Sequence, residues 1–501
     1  MNKRRQILKQ FVIKAIASRK KKTIDKWSSQ PGLTQQKVFN KLIKTASITK
    51  FGLDHNFNKI KSYSDYAKNT PIRDYEDFKS YIELIKKGEK NILWKGSPIY
   101  FAITSGTTSG TKYIPITKDS LQEHINASKN AILLYINETG NTNFISGKFI
   151  FLQGSPVLGL EGVIKTGRLS GITAHHVPKY LQTGRLPSWE TNCIDDWEKK
   201  VDKIIEETID QDMTIIGGIP SWVQMYFEKI KKSKNQKIGD VFKNFSLFIY
   251  GGVNFEPYKK KFTDLIGRKV DSIELYPASE GFFAYQSTQK NKDLLLLLDS
   301  GVFYEFISVT DFNSNCHTRI TVKDVEINVN YVLIISTNAG LWAYNTGDTV
   351  IFTSLIPHKI LVTGRIKHFI SAFGEHVIVK DVENSIQEAC NELNTLITEF
   401  TVAPQVNATN ELPYHEWFIE FSSETLDTTV FASLLDVAMQ KQNKYYLDLI
   451  QGKILQPLKI RVIKKGGFND YMRSQKKLGG QFKIPKLSND RKMADVLLDF
   501  I

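Results

Sequence analysis

Between residues 148 and 277 short unbroken apolar runs alternate with amphipathic stretches of helical length, and this rhythm limits the fold more than any other feature of the chain. The runs "GKFIFLQG", "MTIIGGIP" and "FSLFIYGG" lack polar alternation, as strands do when both faces of their sheet are covered, and "VDSIELYP" reads as a further strand. Between them "CIDDWEKKVDKIIEETID", "SWVQMYFEKIKK" and "EPYKKKFTDLIG" place apolar residues at the spacing of a helix with one buried face. Strand and helix in repeated succession predict an α/β fold built on a mostly parallel sheet with helices on its faces.

The flanking regions read differently. Before residue 95, "QQKVFNKLIKTA" and "YEDFKSYIELIKKG" predict helices, and from "LLLLLDSGVFYEFISV" to "TVIFT" strands follow one another across tight turns. The tail mixes the strand "EWFIEF", the helix "TVFASLLDVAMQKQNKYYLDLI" and the strand "LKIRVI". A chain of 501 residues exceeds one ordinary core. The expected organisation is a large N-terminal domain over residues 1–364, a hinge over 365–369 and a small α+β C-terminal domain over 370–501.

Charge and cysteine usage narrow the setting. The formal net charge of +15 is concentrated in residues 3–26 and in clusters such as Lys259, Lys260 and Lys261. No recognition helix, zinc finger or basic stripe interleaved with aromatics accompanies it, so solvated helix faces are expected and a nucleic-acid partner is not. The first helix can touch an anionic membrane surface, yet docking of Ile7, Phe11, Val12 and Ile16 onto the body is the preferred expectation. No apolar run approaches the ~20 residues that span a bilayer, and no signal peptide is visible. Cys193, Cys316 and Cys390 lie far apart without metal-ligand spacing, which predicts a reduced, cytoplasmic environment. A monomer is expected.

Four loops carry chemistry. In "TSGTTSGTKYIP", residues 104–115, hydroxyls, glycines and one lysine lie between the strand-like "IYFAIT" and "YIPIT", a composition able to wrap an oxyanion. A Walker-type loop needs a glycine and a hydroxyl where Thr111 and Tyr113 stand, so that template fails; a plain polar turn has the same composition. In "ELYPASEGFF", residues 274–283, Tyr276 can stack on a base, Ser279 can hold an oxygen and Glu280 can take magnesium, although an ordinary turn fits equally well. In "WAYNTGDTV", Asp348 follows a glycine at the expected end of a strand, where two acceptor oxygens match the vicinal hydroxyls of a ribose. In "KKLGGQFKIPKL", Lys483 lies between a Gly-Gly pair and a proline, the setting of a cation on a movable loop and of many solvent-facing lysines.

Taken in order, these loops resemble the adenylate-forming enzymes, and within them the auxin-responsive acyl acid-amido synthetases. "FAITSGTTSGTKYIP" is similar to that family's phosphate loop, "YPASEGFF" to its Tyr-x-x-Ser-Glu motif and "YNTGD" to its Tyr-x-x-Gly-Asp motif; "GGIPSWV", "YGGVNFEPY" and "GVFYEFI" also look like family signatures. The resemblance implies that ATP is a substrate with magnesium as its partner ion. It implies that Thr104, Ser105, Gly106 and Thr107 line the phosphates with Lys112 nearby, that Tyr276 packs on adenine beside Ser279, that Glu280 holds magnesium and that Asp348 binds ribose. Arg365 opens the interdomain segment, Lys367 falls on the hinge, and Lys483 matches the lysine that reaches the reacting carboxylate. Gly374, Glu375 and His376 stand where the plant enzymes carry Asp-Lys-Thr, so no nucleotide contact is carried over there, and Thr104 replaces a serine while keeping the hydroxyl.

The activity so implied joins a carboxylic acid to an amine, that of an amino acid, through an acyl adenylate. An acid:coenzyme A ligase shares the first step, and a nucleotide-binding relative without catalysis shares the loops. Ser120 in "DSL" superficially resembles a phosphopantetheine attachment site, but a helix N-terminus accounts for it. Trp222 is placed at the border of an acyl pocket. His175 and His176, read as an extended stretch with opposed side chains, are expected to be surface or packing residues.

Overall fold

The computed structural model describes residues 3–106, 110–178, 182, 184–194, 196–252, 255–314, 316–366, 369–370, 377–405, 411–422, 427–452, 455–475, 483–488 and 491–501. Two compact units are present, one formed by residues 1–346 and 350–361, the other by 347–349 and 362–501.

In the first unit the predicted parallel sheet is present. Lys148–Phe151, Met213–Gly217, Leu247–Gly251 and Asp271–Ala278 pair in parallel in that order. Helices Trp197–Thr208, Pro220–Lys234 and Glu256–Ile266 connect them. Every residue of Met213–Gly217 is buried, as the unbroken apolar run requires. The sheet continues antiparallel through Gly281–Gln286 and Leu294–Leu296 into the β-rich section, where Val302–Ser308 pairs with Asn330–Thr337. A separate four-stranded sheet holds the hairpin Tyr100–Gly106 and Gly110–Ile116.

The N-terminal third packs through aromatic rings on the β-rich section. Trp342 meets Phe57 edge-on at 4.9 Å and donates its indole N–H to the Leu93 carbonyl at 3.1 Å, so a large apolar ring is buried without orphaning its one donor. Gln35 ties helix Pro31–Ala46 to the same section, donating to the carbonyls of Leu298 and Val302 and accepting from the Tyr304 N–H.

Several expectations are corrected. "YEDFKSYIELIKKG" is helical as expected but opens as the 3-10 turn Glu76–Phe78 rather than as α-helix, with Asp74 ahead of it accepting the Glu76 N–H. The helix proper is Lys79–Lys86. The tail helix breaks at Asn443, whose backbone is extended and whose side-chain oxygen caps the Tyr446 N–H at 2.9 Å. Docking of the first helix through Ile7, Phe11, Val12 and Ile16 is overturned, because these side chains are 65, 72, 46 and 44% exposed. Helix Lys3–Ser28 turns its other side inward, seating Ala17 and Ile24 in a cluster with Ala127, Ala131 and Leu134 of helix Lys118–Thr139. Small alanines permit that close approach where larger side chains would hold the helices apart.

The second unit carries a three-stranded sheet, Ile397–Gln405 antiparallel to Tyr414–Phe421 and the latter parallel to Lys459–Val462. Its core gathers Trp417, Ile419, Phe431 and Leu435 beneath helices Val379–Glu392 and Thr428–Gln442. No helix among the described residues is long and apolar enough to cross a membrane.

Candidate functional site

The phosphate-type loop is the tip of a hairpin. Gly106 pairs with Gly110, Ser105 with Thr111 and Thr104 with Lys112. Directly opposed residues of an antiparallel pair share a face, so Thr104 and Lys112 stand together, continuing toward the loop the face that Ala102 and Ile114 bury at its base. Thr107 lies outside the described residues, and Ser105 and Gly106 are placed by backbone alone.

Below the loop is a residue that sequence reasoning missed. The hydroxyl of Tyr75 accepts the Tyr113 N–H at 2.8 Å, and its ring lies 5.7 Å from the Lys112 ammonium. Burial pushes the Tyr75 hydroxyl up from its ordinary range, so the phenol is neutral at physiological pH and holds the strand without adding charge. Tyr113 points its own hydroxyl to Glu161 at 3.0 Å, and Lys86 ion-pairs with Glu161 at 3.1 Å while lying over the Tyr113 ring. The Lys86 and Tyr113 bonds hold the Glu161 carboxyl below the usual carboxylate range.

The second loop is the two-residue turn of another hairpin. Ala278 pairs with Gly281, leaving Ser279 and Glu280 at the tip, both partly exposed. The register slips between Phe282 and Ala284, so Phe283 is the extra residue of a β-bulge, which re-aims a side chain. Phe283 is fully buried and meets the Tyr276 ring edge-on at 5.2 Å. Tyr276 is thereby braced from one side with its phenol only partly covered.

These two hairpins and the third motif root in one hydrophobic cluster. It contains Tyr75, Phe101, Ala102, Ile114, Phe283 and Tyr344, with Tyr113 and Tyr276 packed on it. Tyr344 opens "YNTGD". Asp348 does not end a strand as expected: it is a buried residue inside the long strand Tyr344–Leu355, after Gly347 at φ 77°, a conformation that favours glycine. Residues 347–349 cluster with the second unit, and the neighbouring Thr349 hydroxyl accepts from that of Thr363 at 2.8 Å.

The remaining positions are spread more widely. Trp222 lies in a different cluster, packed with Val223, Tyr226 and Tyr250 among the helices of the parallel sheet. Arg365 ends strand His358–Arg365 and is described by its backbone, while Lys367, Gly374, Glu375 and His376 lie outside the described residues. Lys483 is exposed and stands ahead of a segment pinned to strand Ile397–Gln405: Thr401 donates to the Pro485 carbonyl at 2.6 Å, and Val402 bridges Leu487. His175 and His176 are not extended but close the helix Leu169–Ala174; His175 bonds the Pro156 carbonyl and His176 the Tyr100 hydroxyl. Ser120 is buried in a capping box with Thr117, as a helix start requires.

Among the described residues no three His, Cys, Asp or Glu side chains come together as a metal site. Glu280 alone, on an open turn beside a hydroxyl, suits an ion that needs one carboxylate and takes its other ligands from phosphate oxygens and water, which is how magnesium binds.

Comparison with known proteins decides the family. Models for the N-terminal, central and C-terminal domains of the GH3 family match residues 20–154, 295–365 and 380–492. The chain belongs to the GH3 family. The indole-3-acetic acid-amido synthetase GH3.4 of Arabidopsis thaliana is 20% identical over 93% of this chain and 90% of its own length. The jasmonoyl-L-amino acid synthetase JAR6 of Nicotiana attenuata is 20% identical over 91 and 90%. Among solved structures, the GH3.15 acyl acid amido synthetase in complex with 2,4-DB aligns with a TM-score of 0.81 at 15% identity, covering 97% of this chain and 96% of that one. A 2-hydroxyisobutyryl-CoA ligase in its postadenylation state aligns at 0.58 with 11% identity over 95 and 91%, which places the GH3 fold beside that ligase.

Proposed function

We propose that this GH3 protein is an ATP-dependent acyl acid-amido synthetase. A carboxylate oxygen attacks the α-phosphorus of ATP, the bond to the β-phosphate oxygen breaks and pyrophosphate leaves. The amine of an amino acid then attacks the carbonyl carbon of the acyl adenylate, loses a proton to solvent and expels AMP. The observation that carries this reading is the rooting of three separate motif loops in one hydrophobic cluster, within a chain matched by all three GH3 domain models.

In this reading Thr104, Ser105, Gly106 and Thr107 offer hydroxyl and backbone donors to the phosphates, and Lys112 adds a fixed positive charge. Tyr276, braced by Phe283, gives adenine a flat wall, Ser279 supplies a hydroxyl beside it, and Asp348 accepts from the ribose. Magnesium held by Glu280 would offset the negative charge that builds on the departing pyrophosphate. Lys483 acts on the same charge. Residues 365–369, with Arg365 and Lys367, act as the hinge that withdraws Lys483 before the amine arrives, and Trp222 borders the acyl pocket.

The test is exchange of labelled pyrophosphate into ATP across aryl, indolic and aliphatic acids, followed by product analysis with amino acids or coenzyme A. At least one acid should support exchange, and Glu280→Gln and Lys483→Ala should each lower it by on the order of a hundredfold. Amide formation from supplied acyl adenylate should survive Lys483→Ala; equal losses in both assays would remove the hinge from the mechanism. Exchange with no acid in the panel would refute the enzyme, and product with coenzyme A but no amino acid would make the acceptor a thiol.

A further inference from the structure

Over residues 7–16 the exposed side of the first helix is largely apolar where a solvated helix would be polar. Ile7, Leu8, Phe11, Val12 and Ile16 are all exposed, whereas Ala17 and Ile24 seat the helix on the body. At ~1.5 Å rise per residue these five side chains cover roughly 15 Å of helix, a contiguous strip rather than scattered single residues. The charge beside the strip has one sign. Nine lysines and arginines and no acidic residue precede Asp25, and Lys9, Lys14, Arg19 and Lys22 are exposed along the helix.

We propose that this helix lies on anionic lipid surfaces, sinking Ile7, Leu8, Phe11, Val12 and Ile16 to the headgroup–acyl boundary while the surrounding lysines and arginines meet lipid phosphates and carboxylates. A basic amphipathic helix binds such an interface through buried apolar area and through attraction to the negative leaflet, and it needs both. A nucleic acid would use the cations and leave five apolar side chains in water. A second copy of the chain would bring nine further positive charges against the first nine. The lipid surface uses both halves of the pattern. This binding is peripheral, leaves the body outside the bilayer and does not depend on amide synthesis.

Sedimentation of the full chain with vesicles tests it. The protein should pellet with mixed phosphatidylcholine–phosphatidylserine vesicles and not with phosphatidylcholine alone, and should be released as salt is raised. Ile7→Glu/Phe11→Glu should weaken binding about tenfold or more by losing the inserted area. Lys14→Glu/Arg19→Glu/Lys22→Glu should weaken it comparably by losing headgroup contacts. Leu53→Glu, an exposed apolar position elsewhere on the unit, should bind as the parent does. Unchanged thermal melting of the variants shows that their folds are intact, and the triple charge variant tests the proposal independently of the apolar pair. Absence of binding to the mixed vesicles would overturn the proposal, as would parent-like binding by Ile7→Glu/Phe11→Glu. So would tighter binding to single-stranded RNA than to vesicles, or a dimer in light scattering that the same pair dissolves.

Discussion

Glu305 and Arg319 offer the most quantitative check on how the N-terminal third is fixed to the β-rich section. The Glu305 side chain is fully buried and that of Arg319 nearly so, with 3.1 Å between them. Tyr63 donates its hydroxyl to Glu305 at 3.0 Å, and Arg319 also donates to the carbonyls of Ala67 and Thr70, each at 2.8 Å. Glu305→Gln keeps the shape and the Tyr63 acceptor but leaves the guanidinium with carbonyl partners only. Breaking one side of a buried pair costs about 3–5 kcal/mol, and the two surviving carbonyl bonds put this case near about 3 kcal/mol. Glu305→Gln/Arg319→Met, which removes both charges, should recover much of that loss, and urea denaturation of the four proteins yields the coupling energy. Burial pushes the Glu305 carboxyl up from its ordinary range, with Arg319 pulling it back. The folded state therefore holds this proton to higher pH than the unfolded chain does, and the associated stability is full below the unfolded value and lost as pH rises through the folded one. Glutamine carries no titrating proton, so the variant lacks this pH dependence, and the cost of Glu305→Gln should grow as pH falls toward the carboxylate range and the parent gains stability. A loss under about 1 kcal/mol at neutral pH would refute the argument, since it would mean the folded chain already carries Glu305 uncharged.

Two further outcomes follow from groups beside the hairpins. Tyr75→Phe keeps the ring under Lys112 but orphans the partly buried Tyr113 N–H; a stability loss of about 1–2 kcal/mol is expected in denaturant titration, together with a raised KM for ATP in the exchange assay and little change in kcat. His124 is buried on helix Lys118–Thr139 with its Nε2 unpartnered among the described residues, and burial pushes its pKa down to about 4. Below its ordinary value of 6.5 the unfolded chain takes up the proton first, so stability is full above that pH and falls by about 3 kcal/mol as pH drops to the folded value. His124→Leu should flatten this part of the urea-midpoint profile, and an unchanged slope would show that the ring is protonated in place.

The sequence was most legible where one interaction dictates the local pattern. Met213–Gly217 and Leu247–Gly251 read as strands because a sheet covered on both faces leaves no polar positions to confuse the run. The hairpin around residues 107–109 was legible for a related reason, since apolar strand residues bracket a loop too polar and too small to continue either strand. Tyr75 was invisible: "DYEDF" looks like one face of a helix, and its bond to Tyr113 joins residues 38 apart, a contact with no local signature. The strand around Asp348 misled for the opposite reason, because the Gly-Asp pair that usually ends a strand lies here inside a twelve-residue one, with Gly347 absorbing the unusual backbone angle.

The first helix shows the sharpest limit. Helical periodicity can reveal an apolar stripe, but it cannot say which of two stripes faces inward, because that depends on the partner surface. The partner helix presents Ala127, Ala131 and Leu134, and the first helix meets them with Ala17 and Ile24, with Ile13 and Trp27 packed beside them. Both sides carry large apolar residues, and the outward stripe forgoes the roughly 1.5–3 kcal/mol that burying each large side chain contributes. That gain is open to the outward stripe only against a surface other than water, which is why the outward side, rather than the inward one, carries the inference about lipid.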